Sequence, residues 1–141
     1  LAEIAASYVR GAADARALGF DGVAVHGAHG YLADQFFWSR TNTRRDALGG
    51  SLAARCRLAA TIIAAMRAAV GPAFPIVFRF SQWKQLDYAA RIAETPDELD
   101  EIVQHLRDAP GFDYSVPGPQ SADHRHTSFN AACRSRVPLR W

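Results

Sequence analysis

Ile4, Tyr8, Ala12, Ala15 and Leu18 recur at three- and four-residue intervals, with Glu3, Arg10, Asp14 and Arg16 between them. That period predicts an amphipathic helix over 1–18, and Gly19 stands where a terminating glycine belongs. The pattern then changes. Phe20-Asp21-Gly22 leads into Val23-Ala24-Val25-His26, a short uncharged, β-branched run that predicts a strand over 22–26 covered on both faces. No period marks 33–50, which holds Phe36-Phe37-Trp38, Thr41-Asn42, Arg44-Arg45-Asp46 and Gly49-Gly50. Connections of that length are uncommon unless they carry function. A second helix is expected over 51–70: Ser51 can cap it, Leu52, Arg55, Ile62, Met66 and Val70 share a face, and Gly71-Pro72 ends it. Pro75–Ser81 reads as a second buried strand with Arg79 near its end. Thr95-Pro96-Asp97-Glu98 sets a cap, a first-turn proline and an acid three places after the cap. It opens a helix whose stripe is Leu99, Ile102, Val103 and Leu106. Gly111-Phe112-Asp113-Tyr114 is the candidate opening of a third strand, and 115–141, without either period, reads as a disordered or poorly packed tail.

Helix, strand, helix, strand, helix in alternation is the signature of an α/β fold with a parallel sheet and helical crossovers. The wide spacing of the units suits a barrel with elaborated loops better than a solenoid. At 141 residues and 49% hydrophobic, the chain fits one domain and is too apolar to be disordered throughout. A formal net charge of +2 argues for neither a nucleic-acid nor a membrane partner. No apolar run reaches membrane-spanning length, and the first residues read as a helix rather than a signal peptide, so the expectation is a soluble, cytoplasmic protein. Cys56 and Cys133 lack metal-ligand spacing and read as unpaired thiols. Lys84 is the only lysine among sixteen basic residues, a bias attributed to coding.

The chemistry gathers in Gly22–Tyr31. His26, His29 and Tyr31 come together where the first strand ends, with Gly27 and Gly30 turning the backbone around His29. In parallel α/β proteins that end of a strand is where ligands bind. The His-x-x-His spacing admits three readings. A zinc pair would need a third ligand and ordinarily a helix; the imidazoles could instead be hydrogen-bonded structural groups, or paired donors to an anion or a carbonyl oxygen. Tyr31 is either a packing residue or a proton donor. If the two strands are neighbours, about 5 Å apart, Arg79 and His26 share one rim, and a fixed positive charge there suits an electron-rich cofactor or an anionic substrate. An ion pair with an acid inside the barrel is the other reading of Arg79. Arg44-Arg45-Asp46 reads as a solvated loop or a loop-anchoring ion pair. Gly49-Gly50 has neither phosphate-loop spacing.

The run Gly19–Leu32, then Asp34-Gln35-Phe36, Thr41-Asn42, Arg44, Asp46, Gly49–Leu52, Arg55, Arg57, Gly71-Pro72, Phe74-Pro75 and Arg79-Phe80-Ser81 resembles the Old Yellow Enzyme family of NADH:flavin oxidoreductases. The resemblance covers residues 1–107 and stops near Asp108. It implies a partial TIM barrel containing strands five and six, with a candidate for the seventh, over 1–114, and an irregular tail over 115–141. It implies FMN as cofactor and NAD(P)H as reductant, with a small-molecule acceptor such as an activated alkene. His26 and His29 match the pair that binds the substrate's activating oxygen, with His26 also against the flavin. Tyr31 matches the proton donor, and Arg79 the arginine beside the flavin N1 and O2; no metal is implied. Two departures stand out: Leu48 replaces the usual aromatic before Gly49, and Ala53-Ala54 replaces Glu-Asn before Arg55. The expectation is therefore a fragment or truncated reading frame that needs an oligomer or a complementing barrel segment to close. The alternative is a non-catalytic remnant or interaction module without cofactor.

Overall fold

A computed structural model describes residues 1–85, 87–109 and 128–132. The elements in chain order are α1 (Ala2–Ala17), β1 (Val23–His26), α2 (Leu32–Phe37), α3 (Leu52–Val70), β2 (Ile76–Ser81), α4 (Pro96–Arg107) and β3 (Ser128–Ala132). The sheet order is β1-β2-β3, with β1 and β2 parallel and β2 and β3 antiparallel. The proposed strand at Gly111–Tyr114 lies outside the described residues, as does most of 115–141; the exception is β3, where Val77 pairs with Ala132 and Ser81 with Ser128.

Local chemistry sets the helix ends. After α1, Gly19 takes φ +84°, and its N–H donates to the Arg16 carbonyl while Phe20 N–H donates to that of Ala15. Two of the carbonyls left over by the last turn are thus satisfied in a Schellman motif. Ser51 Oγ accepts from Ala54 N–H at 3.3 Å at the start of α3. At its other end Arg67 Nη1 donates to the carbonyls of Gly71 and Phe74 at 2.5 and 2.6 Å, and Arg16 Nη1 donates to Val70 O at 2.9 Å, tying α1 to α3. Thr95 Oγ1 accepts from Glu98 N–H at 3.2 Å, as the cap's spacing predicts. The Glu98 carboxylate accepts from Glu94 N–H at 2.6 Å, one residue before the cap rather than from the cap's own N–H as in a capping box.

The core lies on one side of the sheet. Val25, Ile76, Phe78 and Phe80 pack there with Ala12 of α1, Phe37 of α2, Cys56, Leu58, Ile62, Ile63 and Met66 of α3, and Ile102 and Leu106 of α4. The other side is open at β1: Ala24 and His26 are exposed. This corrects the expectation of a strand covered on both faces. A β-branched run says that a strand is apolar but not that a second layer covers it, and the helices here cover only one face. Leu18 is likewise 77% exposed rather than part of the α1 stripe, because it is the residue that follows the last helical turn. In α3 the buried set is broader than the predicted face and leaves Leu52 and Arg55 only half-buried.

Candidate active site

The parallel register sets His26 opposite Arg79. Pairing runs one residue further, where Gly27 N–H donates to the Arg79 carbonyl at 2.7 Å. Gly27 is required there, since a Cβ would overlap the ring of Phe78, itself fully buried. The chain then turns sharply. His29 takes φ +61° and Gly30 φ +91°, a left-handed pair in which the histidine lacks glycine's freedom. Three contacts hold the turn. His29 N–H donates to Ser81 Oγ at 3.2 Å, Gly30 N–H donates to Asp34 Oδ2 at 2.7 Å, and Tyr31 N–H donates to the Ala28 carbonyl. Tyr31 is the residue from which α2 starts, so this six-residue helix, hidden within the aperiodic segment, directs the tyrosine.

The side chains that result are close together. The His26 ring centroid lies 5.3 Å from that of His29 and 5.0 Å from that of Tyr31, both edge-on. His29 lies 4.6 Å from Trp83, which stacks on Tyr88 at 5.4 Å. Arg79 is half-buried and near enough for its charge to act on His29. Burial first, and then the Arg79 guanidinium, hold the His29 imidazole below its ordinary value of 6.5. A neutral imidazole has one N–H to give and one nitrogen to accept. His29 Nε2 is buried and meets no hydrogen-bond partner among the described residues, a donor or acceptor left for a ligand. Tyr31 is 58% exposed, its ring edge-on to that of His26.

The sequence reading missed the group beneath this cluster. Lys84 Nζ bonds Asp34 Oδ1 at 2.6 Å, with the two side chains 2% and 0% exposed. In the sequence Asp34 stands only within a motif, and Lys84 only as the sole lysine. A lone lysine in an arginine-rich chain was the available signal. Trp83 and Tyr88 were missed as well, having no period to mark them. In the 38–50 segment, Asn42 Nδ2 donates to the carbonyls of Phe36 and Leu48 at 2.8 and 2.7 Å. Arg44 pairs with Asp46, whose Oδ1 also accepts from Leu48 N–H, so that cluster anchors its own loop. Among the described residues no group of three His, Cys, Asp or Glu side chains could hold a metal ion, and no helix is long and apolar enough to cross a membrane.

Comparison with known proteins places the chain in a family. The chain is 42% identical over 113 residues to 12-oxophytodienoate reductase 1 of Oryza sativa subsp. japonica, covering 79% of this chain and 29% of that protein. It is 41% identical over 107 residues to an NADH oxidase of Thermoanaerobacter brockii, covering 76% of this chain and 16% of that one. A solved complex of 2-naphthoyl-CoA reductase with 2-naphthoyl-CoA superposes with a TM-score of 0.67 at 31% identity, over 76% of this chain and 16% of that structure. The chain thus spans less than a third of the relatives it matches. The family match covers residues 1–135, beyond Asp108 where the recognisable motifs end. The chain belongs to the NADH:flavin oxidoreductase / NADH oxidase family, and its two parallel strands and their helices are part of that family's TIM-barrel domain.

Proposed function

We propose that this chain supplies the acceptor-binding part of an FMN-dependent, Old Yellow Enzyme-type oxidoreductase. The reaction carries hydride from NAD(P)H, by way of FMN, to an electron-poor acceptor such as an activated alkene. In this reading β1 and β2 occupy the places of the fifth and sixth barrel strands, within a unit spanning 1–114. The observation that carries it is the meeting of two imidazoles, a phenol and a guanidinium at one strand end: His26 within 5.3 Å of His29 and 5.0 Å of Tyr31, with Arg79 in register with His26.

The residues fit the cofactor's chemistry on one observation in particular: His29 Nε2 is buried, without a partner among the described residues, beside the half-buried charge of Arg79. FMN, when bound, supplies the hydride. The chain's own groups do the rest. His26 and His29 hold the acceptor's carbonyl or nitro oxygen by N–H donation, drawing electron density from the conjugated double bond and stabilising charge that develops on that oxygen. Tyr31 gives its phenolic proton to the carbon that does not receive hydride. Arg79 would stabilise negative charge on the flavin when FMN is bound. The open face of β1, where Ala24 and His26 are exposed, is the surface that a complementing barrel segment or a second copy would cover.

A non-catalytic remnant or interaction module is the second reading, favoured by that same open face. Purification decides between them. Flavin absorbance in the purified protein, with NAD(P)H oxidation on adding an enone, supports the oxidoreductase. A colourless protein that stays inactive with FMN and a complementing barrel segment supports the remnant.

A further inference from the structure

Asp34 and Lys84 form the one buried ion pair among the described residues, and none of the chemistry above uses either. We propose that they are positioning residues. The pair fixes the Gly30 turn and, through it, the orientation of His29 against Trp83 and His26. This rests on the reading of the two imidazoles as a donor pair.

One carboxylate makes both contacts. Asp34 Oδ1 takes the Lys84 ammonium at 2.6 Å while Oδ2 takes the Gly30 N–H at 2.7 Å. Gly30 follows His29, whose φ of +61° is a conformation that a residue with a side chain keeps only when its surroundings over-determine it. Here they do: Ser81 Oγ holds the His29 N–H, Asp34 holds the next N–H, and the backbones of His29 and Lys84 form an isolated parallel bridge. Lys84 lies beyond β2 and Asp34 in the first turn of α2, so the pair joins the segments that leave the two strand ends.

Stability alone does not account for the pair. Burial pushes Asp34 up and Lys84 down, each against the pull of the other, and buried ion pairs of this kind are often no more stable than apolar replacements. Geometry explains the residue choice better. The ammonium sits between the carboxylate and the Trp38 ring, 5.6 Å from its centroid, in a site 2% exposed. Lysine brings a compact point charge to that site, where arginine would bring a broad planar guanidinium, and Lys84 is the single lysine in a chain otherwise supplied with arginine.

The test is NMR of the chain uniformly labelled with 13C and 15N, with thermal unfolding measured in parallel. The wild type is expected to show a His29–Trp83 ring NOE and a Gly30 amide protected from exchange; an unprotected Gly30 amide overturns the proposal. In Asp34→Ala and in Lys84→Met the NOE is expected to be lost while the signals of core Ile62 keep their positions. A folded variant of either kind with the NOE intact overturns it, and Lys84→Met, near in length and apolar against Trp38, carries the comparison if Asp34→Ala does not fold. None of these signals needs flavin. A chain that binds no FMN yet loses the NOE keeps the positioning role and removes the oxidoreductase reading. A chain that binds FMN with both variants unchanged removes the positioning role alone.

Discussion

His26 lies directly across from Arg79 in the parallel ladder of β1 and β2, and the hydrogen bond from Gly27 N–H to the Arg79 carbonyl extends that pairing past the histidine. The backbone therefore sets the spacing of imidazole and guanidinium before either side chain chooses a rotamer. Neighbouring strands lie about 5 Å apart, so a cation stands beside the histidine pair as a fixed feature of the sheet.

His29 reports that cation. Burial, and next the charge of Arg79, lower its value from 6.5. The unfolded chain therefore takes up the proton first as pH falls. This contribution to stability is whole above pH 6.5 and is lost as pH drops through 6.5 towards the folded-state value. In an NMR titration His29 should titrate below 6.5, and Arg79→Gln should raise it. An unmoved His29 would mean that the guanidinium does not reach it.

Tyr31 makes no side-chain capping bond to α2 and is 58% exposed, so Tyr31→Phe should leave the fold intact. In an FMN-loaded assembly with a complementing barrel segment, the variant should slow alkene reduction by about 10²- to 10⁴-fold, the usual worth of a positioned acid. Flavin reduction by NAD(P)H should not change. Equal losses in both half-reactions would assign Tyr31 to something other than proton donation.

Gly27→Ala should destabilise the chain by about 1–3 kcal/mol, the ordinary cost of forcing an extra carbon into a packed core. The added Cβ meets the ring of Phe78, which packs edge-on against Phe37 with no exposed surface of its own. Urea unfolding measures it, and a midpoint equal to the wild type's would show that the ring can move aside.

Cys56 should be inert. Burial pushes its thiol up to about 12, so a Cys133→Ser chain at pH 8 should resist a thiol reagent when folded and react in urea. Rapid labelling of the folded protein would contradict the packing of α3 described above.

Five of the elements were legible because each carries its own local signal. The period of Ile4, Tyr8 and Ala12 marked α1, Ser51 and Gly71 bounded α3, Thr95-Pro96 opened α4, and the apolar runs marked β1 and β2. What escaped depends on partners distant in sequence. Six residues of α2 are too few to show a period, and Asp34 acquires its meaning only from Lys84, fifty positions away. The coverage of β1 could not be read from Val23–Val25, because apolarity is a property of the strand and coverage a property of its neighbours. The site residues stand out by their place at the strand ends, and the family resemblance supplies their roles. The edge-on grouping of His26, His29 and Tyr31 requires the left-handed turn at His29, a conformation uncommon in any residue but glycine and only more frequent, not expected, at a histidine.

The most direct measurement is the affinity of the FMN-loaded assembly for a small enone, compared between wild type and His29→Ala. Paired donation predicts that FMN stays bound while enone affinity falls about tenfold or more, as expected when one of two hydrogen bonds to a developing charge is removed. Unchanged affinity in His29→Ala, or an assembly that takes up no FMN at all, would contradict the account.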